Sequence, residues 1–552
     1  MLCGGVHILD FFTIDPGIFH ATLPEEWRSF MLSYDIMKLL DLFLRDDLDN
    51  LSSEGQEAPE SLLQYIRSLR RFSLRRGFAP RQQKLPILPR TVAVGMKPKK
   101  IHEVINFADY VDSLSNTIAE GTGSGISHFV DFGSGQNYLG RALASEPYNR
   151  HVVAVEGREN NVSAARWYDL KSGLSVRPKA MRNKKMWNQA LESLTPEEQK
   201  DPEAIAAAVK KVEGTDEYDF KPLNLLEVQY NTEGNNGIIQ YISGKLDSGD
   251  LSEVIENIEH GQGEDLKLMA VSIHSCGNLS HYGIKSLVLN PDIRAVAIVG
   301  CCYNLMTEKL GPPTYKHSIL RPSLQAINGR VVRESEKRDP QGFPMSQRFS
   351  TYKDDGVRLN ITARMMACQA PENWTRVESE GFFTRHFFRA VLQRIFLDRG
   401  VVSHVWHHAP DDGTEMKQLT PFNTSTNPVI IGALRKRCYG SLKEYVRGAV
   451  EKLTTSTDYK RYADVMREKM GDITDEEIER YETMYLPRRK ELCVMWSLMA
   501  LSAVVVESLI VTDRWMFLKE QDMVKHAWVE TVFDYGESPR NLVVVGVKKE
   551  DA

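Results

Sequence analysis

The sequence predicts an α/β fold: a Rossmann-like sheet of parallel strands finished by a C-terminal antiparallel hairpin, with a helical N-terminal region and helical insertions. Three observations predict it. β-rich runs alternate with helical runs through the middle of the chain. The first of these runs ends in an acid and a glycine loop that opens a helix. A long apolar helix near the C-terminus leads into two strands joined by strong turn chemistry.

Residues 1 to about 100 read as helix and loop, with apolar residues at helical spacing from Trp27 to Phe43. From Ser61 to His102 there is no acid, while Arg67, Arg70, Arg71, Arg75, Arg76, Arg81, Lys84, Arg90, Lys97, Lys99 and Lys100 fall there with Tyr65, Phe72 and Phe78 between them. The central block opens with the helical run Ile101–Ala119. Strands are then expected at His128–Phe132, His151–Val155, Ile238–Ser243, Lys267–Ile273 and Arg294–Val299. Helices between them are expected near Tyr138–Ala144, Asn161–Leu170, Leu251–Ile258 and His281–Leu289. Such alternation means parallel pairing through helical crossovers. Residues 171–235 read as an insertion, helical from Met186 to Val212, and residues 303–487 as a largely helical accessory region that includes the run Gly381–Leu397. A helix from Arg488 to Val511 leads to the strands Ala527–Phe533 and Asn541–Val547, joined through Tyr535-Gly536-Glu537-Ser538-Pro539. The sheet domain is thus expected at 101–302 plus 488–552.

Composition narrows the class. A chain of 552 residues with 42% apolar and 26% charged residues supports two or three globular units. A net charge of -5 gives no bulk positive field toward nucleic acid or membrane, so such binding needs a local patch. Seven scattered cysteines without a CxxC pair suit neither a disulfide framework nor a zinc ribbon, and point to a reducing compartment, cytosol or nucleus. Leu492 to Val506 is almost wholly apolar, but it is shorter than the ~20 residues a bilayer requires and Glu507 interrupts it. A buried helix is the expectation, with no membrane partner.

The chemistry concentrates at His128–Gly140, HFVDFGSGQNYLG. Glycines at 133 and 135 let the backbone turn tightly and approach a ligand closely. Dinucleotide folds run apolar into GxGxxG, because a carboxylate there repels the diphosphate. Here Asp131 stands two residues before Gly133, and position 138 is Tyr. That acid suits the amino group and sulfonium of S-adenosylmethionine. The second strand ends at Glu156, where a carboxylate can accept from ribose hydroxyls. Asp131, Gly133, Ser134, Gly135, Glu156 and Gly157 form the expected cofactor set, and five strands followed by a helix and a hairpin is the topology of a class I methyltransferase.

The fourth strand ends in HSCGNLSH and the fifth in GCCYN. In that strand order the fourth lies between the first and fifth, so its end faces the methyl acceptor. His274, Cys276, Asn278 and Tyr303 are the candidate catalytic residues, His274 or Tyr303 to orient the acceptor or take its proton. Cys276 reads either as a nucleophile or as a small buried residue. His274, Cys276, His281, Cys301 and Cys302 match no common zinc spacing, and no metal is expected. His404, His407, His408, Asp411 and Asp412 read as a solvated polar loop. No Asp/Asn-Pro-Pro-aromatic tetrapeptide is present, which counts against methylation of an exocyclic base amine.

DFGSGQNYLGR, VVAVEG, HSCGNLS, VGCCYNLMTE, GFPMSQ and SPRNLVVV resemble the eukaryotic methyltransferase-like protein 25 group, which includes ribosomal RNA adenine dimethylase domain-containing relatives and fungal counterparts. The likeness runs from about Met96 to the C-terminus, apart from the insertions. It implies a class I methyltransferase fold and an S-adenosylmethionine site on Asp131, Gly133, Gly135 and Glu156, and leaves the substrate open. After the third strand the chain reads SGKLDSGD where many methyltransferases carry an acid-bearing loop for the adenine, and Asp247 is the nearest candidate. The expected function is methyl transfer to a macromolecule, RNA ahead of protein, with the basic segment 67–100 as a track for phosphates. The alternative is a catalytically silent methyltransferase fold serving as an interaction scaffold.

Overall fold

A computed structural model describes residues 7–14, 17–44, 48, 57–79, 85–176, 184–213, 229–230, 237–244, 246–260, 265–310, 338–406, 424–426 and 428–550. Its centre is a seven-stranded sheet: β1 (His128–Phe132), β2 (His151–Glu156), β3 (Ile239–Ser243), β4 (Leu268–Ser275), β5 (Ile293–Gly300), β6 (Val524–Thr531) and β7 (Leu542–Lys548), in the order β3-β2-β1-β4-β5-β7-β6. β2 and β4 pair in parallel with β1, and β3 in parallel with β2. β7 pairs antiparallel with both β5 and β6. The five expected parallel-type strands and the C-terminal hairpin are all present. The strands form where β-branched residues run without interruption, because parallel strands are covered on both faces. In β2, Val152, Val153, Ala154 and Val155 are all buried, and β5 is buried at every position but Arg294.

The chain divides into two compact units, Met1–Arg81 with Leu246–Leu251 and Ser272–Ala552, and Gln82–Lys245 with Ser252–Val271. The second unit contains β1 to β3, the start of β4, and three helices: α1 (Pro98–Thr122), α2 (Tyr138–Ala144) and α3 (Glu159–Ser172). α1 starts with Pro98, whose missing N–H is harmless in a first turn, and its buried Val104, Phe107, Val111 and Leu114 recur at helical spacing. Arg150, after α2, is anchored to α1 through Asp112 (2.7 Å) and Asn116 (2.6 Å). Within the insertion, Lys184–Glu192 and Pro202–Glu213 are helical.

A large apolar core lies in the first unit. The N-terminal helices, α5 (Arg376–Asp398) and α6 (Arg489–Lys519) all feed it, while α4 (Leu279–Leu289) packs on β5. α5 opens with a capping box, Thr375 and Glu378 each holding the other's backbone N–H. The apolar run Trp27–Phe43 is two helices, Glu25–Ser33 and Ile36–Leu44. Asp35 separates them, its carboxylate accepting from Met37 N at 2.9 Å, so a new helix starts there. α6 extends beyond Val511 to Lys519. By length and composition it is apolar enough to cross a membrane, but its most apolar window is 78% buried within the fold. Glu507, Asp513 and Arg514 lie buried on the same helix, each bonded to neighbouring residues.

Candidate functional site

β1 carries Asp131 to the start of the glycine loop in the second unit. Asp131 is buried, 4% exposed. Burial pushes it up to about 8, Lys100 pulls it down, and Glu156 adds to the rise. Lys100 itself bonds the buried Glu103 at 2.6 Å. After Phe132 the chain turns through Gly133 and Gly135, both at positive φ (64° and 58°). Gly133 N and Ser134 N both donate to Val155 O on β2 (3.0 and 3.2 Å), which fixes the loop over the strand end. Gly135 N donates to Glu156 Oε2 at 2.8 Å, and Arg158 N to Oε1 at 2.9 Å. Glu156 thus ties the loop to β2 while leaving lone pairs for hydroxyl donors. Asp131, Gly133, Ser134, Gly135 and Glu156 therefore converge, and the exposed Gly157 follows Glu156 on the same loop. Asp247 is exposed and belongs to the first unit.

Beneath this loop lies a polar network that spacing along the chain does not reveal. Asn137 is in the left-handed conformation (φ 52°), and its amide donates to Tyr241 OH at 3.0 Å. Tyr241 and Tyr230 both donate to Asp169 Oδ2, at 2.6 and 2.8 Å. Arg141 reaches Asp169 Oδ1 at 3.0 Å, and both side chains are fully buried. The guanidinium also lies over the rings of Tyr138 (5.3 Å) and Tyr168 (5.1 Å). Burial, then the neighbouring Asp169, holds both Tyr230 and Tyr241 far above their ordinary range, so they act as fixed donors. Gly140 completes the arrangement: a Cβ there would meet Asn137 Oδ1 at 2.1 Å. The one signal in the sequence is an arginine inside the otherwise small and apolar helix YLGRALA.

The acceptor-side candidates all lie in the first unit. The ends of β4 and β5 are locked together, with Cys301 N bonding Ser275 O and Gly277 N bonding Cys302 O. Gly277 sits at φ 58°, and a Cβ there would meet Leu305 O at 2.6 Å, so only glycine lets the two strand ends close. Three half-buried thiols meet as a result: Cys276 Sγ is 3.3 Å from both Cys301 Sγ and Cys302 Sγ, and those two are 3.6 Å apart. Hydrogen bonds from Cys276, then Cys301, depress Cys302, while Cys301 is raised by its bonds to the other two. For Cys276, the bond to Cys301 lowers it, but the bond to Cys302 and burial prevail and push it up to about 11. His274 is half-buried nearby, and its charge acts on Cys302.

Two of the candidates are held in internal bonds. Tyr303 is 2% exposed and donates to Glu507 Oε1 at 2.8 Å, beneath the guanidiniums of Arg514 and Arg540. Burial and Glu507 hold its phenol above the ordinary range, and its hydroxyl donates within the fold. Asn278 uses both ends of its amide on Thr307, with a further bond to Asp339. It fastens the segment after β5. His281 is fully buried and bonds Gln341 O, away from the thiols. His404 is exposed at the start of a short strand, while His407, His408, Asp411 and Asp412 lie outside the described residues. In the basic segment, Arg70 holds the carbonyls of Leu42 and Phe43, and Arg76 pairs with Glu507. Arg71, Phe72 and Arg75 are exposed together in the first unit; Arg90, Lys97 and Lys99 are exposed in the second.

Residues 99–309 match the family model described as a methyltransferase domain. The chain is 28% identical over 302 residues to the mouse (Mus musculus) "Probable methyltransferase-like protein 25", and 27% identical over 303 residues to its human (Homo sapiens) counterpart. Each match covers 54% of this chain and 39% of the relative's length. Residues 99–309 thus carry a methyltransferase domain, on a sheet with the strand order given above, and about half of the chain is similar to methyltransferase-like protein 25.

Proposed function

We propose that the protein transfers a methyl group from S-adenosylmethionine to a macromolecule, RNA ahead of protein, in a reducing compartment (cytosol or nucleus). The observation that carries the reading is the loop between Asp131 and Glu156. A Cβ on Gly135 would meet nothing within 4 Å, so open space lies beside the loop backbone. Ser134 Oγ and Asn137 Oδ1 are buried without a hydrogen-bond partner among the described residues. A buried carboxyl, unsatisfied polar atoms and open space fit a small polar cation. A diphosphate at this loop would meet the Asp131 carboxyl, which repels it once ionised, whereas Glu156 at the end of β2 suits a ribose in either ligand.

When bound, the cofactor supplies an electrophilic methyl on a sulfonium. Asp131 ionises as a cationic group arrives and offsets its charge. Glu156 keeps the glycine loop in place and accepts from hydroxyls. Holding the acceptor in line supplies much of the acceleration, since orientation replaces a bimolecular encounter. On the acceptor side His274 and Cys276 remain the candidates.

For RNA, the support is Phe72, 69% exposed between Arg71 and Arg75, a ring for stacking with cations for phosphate. The scaffold reading draws on Tyr303 and Asn278, which are tied into internal bonds. The test is calorimetric titration of the full chain with S-adenosylmethionine, NAD and NADP. Binding of S-adenosylmethionine alone, lost in Glu156→Ala, followed by labelled-methyl incorporation into RNA, is expected. Dinucleotide binding would overturn the site, cofactor binding without transfer to any RNA or protein fraction would favour the scaffold, and transfer to protein alone would move the acceptor class.

A further inference from the structure

We propose that Cys276, Cys301 and Cys302 form a binding site for a soft, filled-shell divalent cation of the zinc class. The site stands on geometry; it shares Cys276 with the acceptor-side candidates of the methyltransferase reading and makes that thiol a ligand. The three sulfurs form a nearly equilateral triangle with sides of 3.3, 3.3 and 3.6 Å. Each lies about 2 Å from the triangle's centre, so a cation with sulfur bonds of about 2.3 Å caps the triangle about 1 Å above its plane. Widening the sides to the roughly 3.8 Å of a tetrahedral site needs sulfur shifts of only a few tenths of an ångström. Thiolate sulfur selects zinc-like ions over hard cations.

The backbone is built to hold the triangle. Cys276 follows β4, and Cys301 and Cys302 follow β5. The bonds Cys301 N to Ser275 O and Gly277 N to Cys302 O clamp the two ends, and Gly277 permits the close approach to Leu305. The thiols are half-buried, so an ion has an entry path. A fourth thiol, Cys368, stands aside and bonds Asn304 Oδ1 at 3.5 Å and Arg364 O at 3.4 Å. No fourth His, Cys, Asp or Glu joins the triangle among the described residues. A tetrahedral ion therefore keeps one position for water or an exogenous soft donor, the pattern of a reactive rather than a purely structural zinc site. Three thiolates around a divalent cation leave one net negative charge. Arg540 acts on Cys302 and Arg514 on Cys301, and these buried guanidiniums offset it.

The sequence alone argues against a metal here because vicinal cysteines separated from a third by a whole β–α–β crossover match no compact ligand motif. The strand order supplies what the spacing hides. The experiment uses the full reduced chain, purified without oxygen, equilibrated with zinc chloride and desalted, with bound zinc read by atomic absorption. About one zinc per chain is expected, with affinity at least about tenfold weaker in Cys301→Ser and unchanged in Cys438→Ser, a buried thiol elsewhere in the unit. Zinc-free wild-type protein, or Cys301→Ser binding as tightly as wild type, overturns the site. A second reading needs no variant: cadmium chloride titrated into wild type should saturate at one equivalent, with the charge-transfer intensity of three thiolates. Intensity of a single thiolate, or none, overturns the site regardless of how the variants fold.

Discussion

Asp131 allows a test in which pH is the only variable. Burial pushes its carboxyl up to about 8, against the pull of Lys100. Near neutral pH the loop therefore holds mostly a neutral acid. A cationic ligand group prefers the ionised form, so its binding expels the proton, and affinity rises with pH until about 8 and then levels. The ionised fraction is about one in a hundred near pH 6 and about one in ten near pH 7, so Kd should fall about tenfold between them, about 1.4 kcal/mol. An α-amino group stays largely protonated over that window, so the ligand contributes little to the change. Titration of S-adenosylmethionine at both pH values, in buffers of different ionisation heat, should show close to one proton released per ligand and an affinity that climbs with pH. Asp131→Asn should flatten the dependence. A Kd that ignores pH, or the same slope in Asp131→Asn, refutes the reasoning. The ligand-free protein carries the same linkage. The folded value lies above the ordinary 3.8, so the neutral acid's contribution to stability is fully present below about pH 4 and is lost as pH rises through about 8.

Three further outcomes follow from named contacts. Gly135→Arg should abolish cofactor binding by filling the open space beside the loop, with about 1–2 kcal/mol of backbone strain from the positive φ of 58°. Calorimetry with circular dichroism checks both parts, and unchanged affinity contradicts the site. Asp169→Asn should lower stability by about 3–5 kcal/mol, because Arg141 keeps its charge in a fully buried place without its anion. Denaturant unfolding measures it, and a loss below about 1 kcal/mol would show that the network relaxes. Glu507→Gln should cost about 3 kcal/mol in the first unit, where Arg76 and Arg540 lose their shared carboxylate. Burial raises Glu507 but the two guanidiniums prevail, so it sits below its ordinary 4.5. Its contribution is present above that value and is lost as pH falls, and the variant's thermal unfolding should be less sensitive to acid.

The parts of the fold that were legible are those with a local cause. β2 reads as a strand because four consecutive small β-branched or alanine residues are buried on both faces. The turn after β1 reads as a tight loop because two glycines follow an apolar strand, and both adopt positive φ. The break at Asp35 was missed although its cause is also local, since apolar spacing alone carries through a cap that restarts a helix. The bonds of Tyr303 and Asn278 are hidden from the sequence for a different reason. Their position at strand ends marks them as candidates, but their roles depend on Glu507, 204 positions from Tyr303, and on Asp339, 61 positions from Asn278.

Arg141 shows most clearly where a reading of the chain alone stops, and how it can go further. Its partner Asp169, and Tyr230 and Tyr241 that donate to Asp169, are spread over three other elements, and no period or motif connects them. Yet an arginine in YLGRALA, between buried Leu139, Gly140, Ala142 and Leu143, has no polar face to occupy. A buried cation must find an anion and hydrogen-bond acceptors, or the fold carries a penalty of several kcal/mol. That requirement asks for an acid on an adjoining element, and Asp169 is the buried acid of α3. The trithiol site follows the same logic. Predicted strand order places the ends of β4 and β5 side by side, so HSCG and GCCY become one cluster before any coordinate is known. Spacing along the chain finds sites built from one segment. Sites built from two are found by asking which strand ends the topology makes neighbours and which residues there require a partner.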